Sequence, residues 1–223
     1  MLESLKFFIL RFDRRRRFFR TLAPAQRILD IGCGTGKNVT EIQRLFPSLE
    51  FHGVDLLQDS QVPPFVQYKR VDLEEGALPY PDEYFDAILV VHVLEHLHRP
   101  LRLGSEIHRV LKKGGRVYVE TPNWISLFIP SFAVDRSQMQ TINFFDDHTH
   151  VKPWSRQGLY AYLGACCHLE VEKVGTVRNW LRLPGDPFVI LAGLVIPNRG
   201  NVASAIWNLT GWRIYGVGKK STH

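Results

Sequence analysis

The stretch Ile28-Leu29-Asp30-Ile31-Gly32-Cys33-Gly34-Thr35-Gly36-Lys37-Asn38 constrains this chain more than any other. An apolar run broken only by Asp30 leads into glycines at alternate positions, and a helix-like segment follows at once. A chain written this way turns sharply from strand to helix and brings bare backbone close to a ligand, so residues without a Cβ stand at the turn. The spacing is G-x-G-x-G, one residue shorter than the G-x-G-x-x-G that seats a pyrophosphate on a helix N-terminus, which weakens a nicotinamide reading. Asp30 points the same way: a fixed carboxylate repels a pyrophosphate but attracts an ammonium or a sulfonium.

Other segments arrange themselves around this turn. Phe51-His52-Gly53-Val54-Asp55 is a short apolar strand ending in a carboxylate about twenty residues beyond the glycines, where an acid can accept bonds from both hydroxyls of a ribose. Val66 to Leu73 reads as a third strand, and the short link before it, with Pro63 and Pro64, leaves the usual second helix shortened or missing. Ala87 to Val91 is nearly all apolar, as a parallel strand covered on both faces must be, so His92, Glu95 and His96 fall at the carboxyl edge of a sheet. Helical periodicity runs from Pro100 to Leu111, with Lys112-Lys113-Gly114-Gly115 as stop chemistry, and Arg116 to Thr121 is a fifth strand. A helix capped by Ser155 covers Trp154 to Leu163; His168 to Val174 and Trp212 to Gly218 read as the last two strands.

These segments resemble the motifs of class I S-adenosylmethionine-dependent methyltransferases, in particular the small-molecule, ubiquinone-biosynthesis-like branch, over roughly residues 25 to 180. The resemblance implies an α/β fold: a doubly wound, mostly parallel seven-stranded sheet of the Rossmann-like methyltransferase type, with helices on both faces and the last strand antiparallel. It implies S-adenosyl-L-methionine as cofactor, held by Asp30, Gly32, Cys33, Gly34, Gly36, Asp55, Leu56, Asp72, Leu73 and His92. Asp72 would take the adenine amine and Leu73 would pack on the ring.

Methyl transfer from a sulfonium needs mainly in-line positioning, and a base only where the acceptor keeps its proton. Histidine suits that task, and the candidates are His92, from its strand-end place, then His150 and His148. The spacing His92-x-x-Glu95-His96 with a later histidine superficially suits a divalent cation, but no metal is assigned.

A single methyltransferase domain is expected over residues 1–223, with a basic helical extension at 1–24, a substrate lid at 122–153 and a hydrophobic insertion at 181–210, in which Pro187 to Trp207 reads as a helical pair. The formal net charge is +6, with Arg11, Arg14 to Arg17 and Arg20 near the start; Leu5, Ile9, Phe12 and Phe19 can share one helical face among them. Such a helix either packs across the cofactor cleft or docks on an anionic membrane surface, an acidic substrate or a nucleic acid. Three cysteines without a CxxC pair, and no signal-like segment, give a cytoplasmic expectation. The longest apolar run, Phe188 to Ile196, is nine residues, too short to span a bilayer.

The leading functional expectation is methyl transfer to an O, N or C nucleophile of a small-molecule or lipid-linked acceptor. The alternatives are an RNA methyltransferase and a non-catalytic binding module. His92-Val93-Leu94-Glu95 lacks the Asn/Asp, proline and aromatic pattern of base-amine methylases, so nucleic acid is not an expected partner, and the oligomeric state is left open.

Overall fold

The computed structural model describes residues 14–75, 77–131, 142–193 and 199–222. Leu5, Ile9, Arg11 and Phe12, used above, lie outside the described residues. The elements are α1 (Arg14–Phe19), β1 (Arg27–Ile31), α2 (Lys37–Leu45), β2 (Glu50–Asp55), β3 (Gln67–Arg70), β4 (Phe85–Val91), α3 (Pro100–Val110), β5 (Leu111–Pro122), α4 (Arg156–Ala161), β6 (Glu170–Thr176), α5 (Asp186–Gly193), α6 (Arg199–Thr210) and β7 (Arg213–Lys219).

The strands form one seven-stranded sheet in the order β3-β2-β1-β4-β5-β7-β6. All neighbours are parallel except β7, which runs antiparallel to both β5 and β6. The order reverses between β1 and β4, and a crevice at the carboxyl ends of those two strands is where an open α/β sheet binds its ligand.

Alternation along the central strands builds a core on each face. Leu29 and Ile31 of β1 and Ile88 and Val90 of β4 pack with Leu103 and Ile107 of α3 and Leu159 of α4. Ile28, Ala87, Leu89 and Val91 pack on the other face with Val39 and Ile42 of α2 and Phe18 and Phe19 of α1. Each large side chain so buried contributes roughly 1.5–3 kcal/mol, so the sheet is held from both sides. The period of two also puts Asp30 on the α1/α2 face, beneath the glycine turn.

Between β2 and β3 only a 3-10 turn, Asp59–Gln61, replaces a helix, as the proline-rich link predicts. One boundary differs from the sequence reading. Lys112 to Gly115 do not close the helix: α3 ends at Val110, and β5 already begins at Leu111, which pairs with Phe85 before a register shift to Ala87 and Arg116. Gly114, at φ 75°, makes the bend inside this irregular strand start, so a lysine-glycine run serves strand entry here as it would serve a helix end.

Beyond β5 the chain forms 3-10 turns at Trp124–Phe128 and Phe144–Asp146. Ser155 caps α4 by accepting from Gly158 N at 3.0 Å. A small third core joins Ile129 and Ile142 of this region to Ile190 of α5 and Ala203 and Ile206 of α6. No helix of the described residues is long and apolar enough to cross a membrane.

Candidate active site

The glycine turn is shaped by contacts on two sides and open on the third. Gly32 (φ +69°) lies against the core, where a Cβ would come within 2.3 Å of Val93 Cγ2. Gly36 (φ +72°) lies against Pro63, whose Cδ would be 2.5 Å from its Cβ. Gly34 (φ +52°) has nothing within 4 Å of such a Cβ, so it faces the free space a ligand needs. Gly34→Ala should therefore leave the core intact, cost about 1–2 kcal/mol for its left-handed backbone, and intrude on the bound cofactor. We expect at least a tenfold loss of cofactor affinity with a small drop in Tm, read by calorimetry and a thermal melt; unchanged affinity would place the ligand elsewhere.

Asp55 ties the turn to the end of β2. Its Oδ2 accepts from Gly34 N at 2.8 Å, and its Oδ1 accepts from Leu56 N at 2.7 Å and Leu57 N at 3.3 Å. Oδ2, with one donor, retains a further acceptor site, as a ribose ligand requires. Leu56 beside it is exposed. Cys33 is buried in the turn; burial, then the negative charges of Asp30 and Asp55, push its thiol up to about 12, so it acts as an apolar wall rather than a nucleophile. Asp72 is exposed and accepts from Glu74 N at 2.9 Å, and Leu73 packs against the main core.

Asp30 is the electrostatic centre of this region. Only 1% of it is exposed, and neither carboxylate oxygen has a hydrogen-bond partner. Burial raises its pKa to about 7, while the nearby Arg15 guanidinium partly opposes the rise and Asp55 adds to it. A buried carboxylate left without a donor is costly, and a cationic group of a ligand satisfies it. Arg15, from α1, donates to Asn38 Oδ1 at 2.7 Å, and its Nε lies 3.6 Å from Glu120 Oε2.

Across the crevice, the backbone after β4 presents His92. Its N–H donates to Glu120 O at 2.9 Å, and its φ of 56° is rare for a residue with a side chain. Nδ1 lies 2.9 Å from Glu95 Oε1, and Nε2 lies 3.9 Å from Glu120 Oε1. Glu95 is fully buried and also accepts from Thr121 Oγ1 at 2.9 Å. Burial opposes its ionisation, but the His92 hydrogen bond and charge outweigh it and hold the carboxyl below its ordinary range. Glu120 is likewise buried, yet the charges of Arg213, Arg15 and His92 and the Tyr118 hydroxyl hold it at about 2. His92 thus stands between two ionised carboxylates, its ring 6.1 Å from that of Trp212.

The other two candidate histidines are placed differently. His150 is buried, with Nδ1 2.7 Å from Phe144 O, and burial keeps its ring neutral by lowering its pKa. His148 is exposed in the turn before it. Val151 N and Lys152 N donate to Glu95 O, which fastens this segment to the loop after β4. Sequence reasoning missed Arg15, Glu120, Thr121 and Arg213. A single Glu in an apolar strand, Glu120 in Val117-Tyr118-Val119-Glu120, was the signal available for that cluster.

A family model described as a methyltransferase domain matches residues 7–165, more than half of the chain. The chain belongs to this methyltransferase family. It is 36% identical over 108 residues to the ubiquinone/menaquinone biosynthesis C-methyltransferase of Vibrio cholerae, a match covering 43% of this chain and 41% of that protein. It is 33% identical over 108 residues to a ubiquinone biosynthesis O-methyltransferase of Dechloromonas aromatica, covering 44% and 45%. The chain thus spans less than half the length of these relatives. The solved structure of a SAM-dependent methyltransferase from Archaeoglobus fulgidus superposes with a TM-score of 0.60 over 93% of this chain and 91% of that one, at 23% identity, which establishes the shared Rossmann-like methyltransferase fold.

Proposed function

We propose that this methyltransferase carries a methyl group from S-adenosylmethionine to an O, N or C nucleophile of a small-molecule or lipid-linked acceptor. The observation that carries the reading is Asp30: a buried carboxylate with no donor, beside the open face of Gly34, calls for a cationic nucleoside. In this reading Asp30 meets the cofactor's positive end and Arg15, beside it, its carboxylate. Asp55 accepts from a ribose hydroxyl through Oδ2, next to Leu56, and Asp72 and Leu73 border the adenine. Bound there, the cofactor supplies an electrophilic methyl on sulfur.

His92 faces the acceptor. A carboxylate only accepts, so the contact with Glu95 places the ring proton on Nδ1 and leaves Nε2 as the lone pair that takes the acceptor's proton. Glu95 and Glu120 then stabilise the imidazolium. An apolar acceptor fits the surroundings: the Trp212 ring lies tilted beside that of Trp207, centroids 5.3 Å apart, Trp207 packs on the third core, and Trp124, Phe128, Phe188 and Leu191 stand exposed on the elements bordering that core. The quinone-pathway names of two relatives agree with such an acceptor.

Asp55→Ala should raise the cofactor dissociation constant tenfold or more, on the order of 1.4 kcal/mol for a lost charged hydrogen bond; an unchanged constant would remove Asp55 from the ribose. The whole reading is tested by supplying methyl-labelled cofactor with a panel of phenols, amines and quinols. Acceptor-dependent formation of S-adenosylhomocysteine is expected, and a protein that binds no S-adenosylmethionine would refute it.

A further inference from the structure

Arg15 and Glu120 join the two halves of the crevice: Arg15 stands near Asp30, and Glu120 stands beside His92. We propose that Glu120 is a resident competitor for Arg15, which lowers the protein's hold on the amino-acid tail of the cofactor and takes the guanidinium back when the spent nucleoside leaves. The inference rests on the reading above, in which Arg15 meets the cofactor's carboxylate. It adds that this guanidinium is shared, and that an acid of the protein itself sets how tightly the tail is held.

The two partners have unequal claims on each other. Glu120 is 1% exposed, and two donors reach it at hydrogen-bond length: Arg213 Nη1 donates to Oε1 at 2.7 Å, and the Tyr118 hydroxyl donates to Oε2 at 2.7 Å. Arg15 Nε lies farther off, 3.6 Å from Oε2. When Arg15 turns to a ligand, the buried carboxylate therefore keeps one charged and one neutral donor and is not orphaned. Arg15 is the freer side of the pair, with its side chain 23% exposed. Its Nη1 donates to Asn38 Oδ1 at 2.7 Å, on the first turn of α2, which keeps the guanidinium beside the glycine turn.

The place of α1 does not depend on this ion pair. The Arg14 guanidinium lies over the Tyr215 ring at 5.5 Å, the Phe18 ring lies 5.7 Å from that of Tyr118, and Arg116 Nη1 donates to Thr21 Oγ1 at 2.6 Å just beyond the helix. The Arg15 side chain can thus change partner while the helix stays. A carboxylate of the ligand and a carboxylate of the protein compete for one cation, and affinity falls by the fraction of molecules in which the protein's own acid holds it. The cofactor and its demethylated product carry the same tail, so the competition weakens both alike and speeds release of the product after transfer.

The test compares two probes by calorimetry on the full chain: S-adenosylhomocysteine, which has the amino-acid tail and no sulfonium, and methylthioadenosine, which lacks the tail. Glu120→Gln keeps the shape of the side chain and removes its charge. We expect it to bind S-adenosylhomocysteine about three- to fivefold tighter than the parent, with methylthioadenosine unchanged. Arg15→Gln should weaken S-adenosylhomocysteine at least tenfold, again sparing methylthioadenosine, and adding Glu120→Gln to it should bring no gain. A residue that merely props the site would lose affinity for both probes. Asn38→Asp offers Arg15 a second competing acid at a first-turn position where Asp is favoured. It should weaken S-adenosylhomocysteine alone, and it decides the matter if Glu120→Gln does not fold. Methylthioadenosine binding with unchanged or weaker S-adenosylhomocysteine binding in folded Glu120→Gln, or with undiminished binding in Asn38→Asp, overturns the competition and leaves the nucleoside reading standing. Binding of neither probe by the parent chain overturns both.

Discussion

Asp30→Asn is expected to stabilise the unliganded protein above pH 7 while weakening its hold on S-adenosylmethionine. Burial raises the carboxyl from its ordinary 3.8 to about 7. The folded protein therefore keeps this proton more tightly than the unfolded chain, and stability falls as pH rises from about 4 to about 7, then levels off. At about 1.4 kcal/mol for each tenfold change in proton affinity, the loss approaches roughly 4 kcal/mol. Asparagine resembles the protonated acid and escapes that loss. At pH 8 the variant should melt roughly 8 °C higher or more, and at pH 4 it should match the parent. The opposite holds for ligand: losing a charged contact worth about 1.5–3 kcal/mol raises the cofactor dissociation constant from tenfold to over a hundredfold. A variant destabilised at pH 8 would mean that Asp30 has a partner in the free protein and is not waiting for one.

His92→Asn is expected to lower the methyl-transfer rate by 10² to 10⁴, the usual worth of a positioned general base, where the acceptor reacts through a hydroxyl or another group that carries its proton. Asparagine tolerates the left-handed backbone at this position, so the fold and the cofactor affinity should change little. Single-turnover transfer of labelled methyl separates the two effects. A fall in rate with an unchanged cofactor dissociation constant assigns His92 to the chemistry, whereas equal losses in both would make it a residue that shapes the crevice.

The central turn was legible because its signal is local: strand, alternate glycines and helix lie within a dozen or so residues, and each glycine answers to one steric need. The place of Asp55 beside the turn was legible because parallel pairing of β1 with β2, Ile31 beside Val54, brings the end of one strand against the turn after the other. The missing helix before β3 followed from two prolines. What stayed hidden depends on contacts remote in sequence. Glu120 gains its meaning from Arg213, on the strand that pairs antiparallel with β5, and from Arg15, on a helix that crosses in front of both. No spacing rule joins those three positions. The entry to β5 was misread because lysines followed by glycines satisfy helix-end and strand-bulge geometry alike, and only pairing of Leu111 with Phe85 decides between them. The histidines shared a composition but not a setting: burial separates His150 from His148, and burial belongs to the fold.

The most direct test of the account is the number of protons released when S-adenosylmethionine binds at pH 6, measured by calorimetry in buffers of different ionisation enthalpy. At that pH Asp30 is largely protonated in the free protein, and a cation seated against it drives the proton off. The account predicts release of close to one proton by the parent chain, fading above pH 8 and absent in Asp30→Asn. Equal proton counts for the two proteins at pH 6 would contradict it.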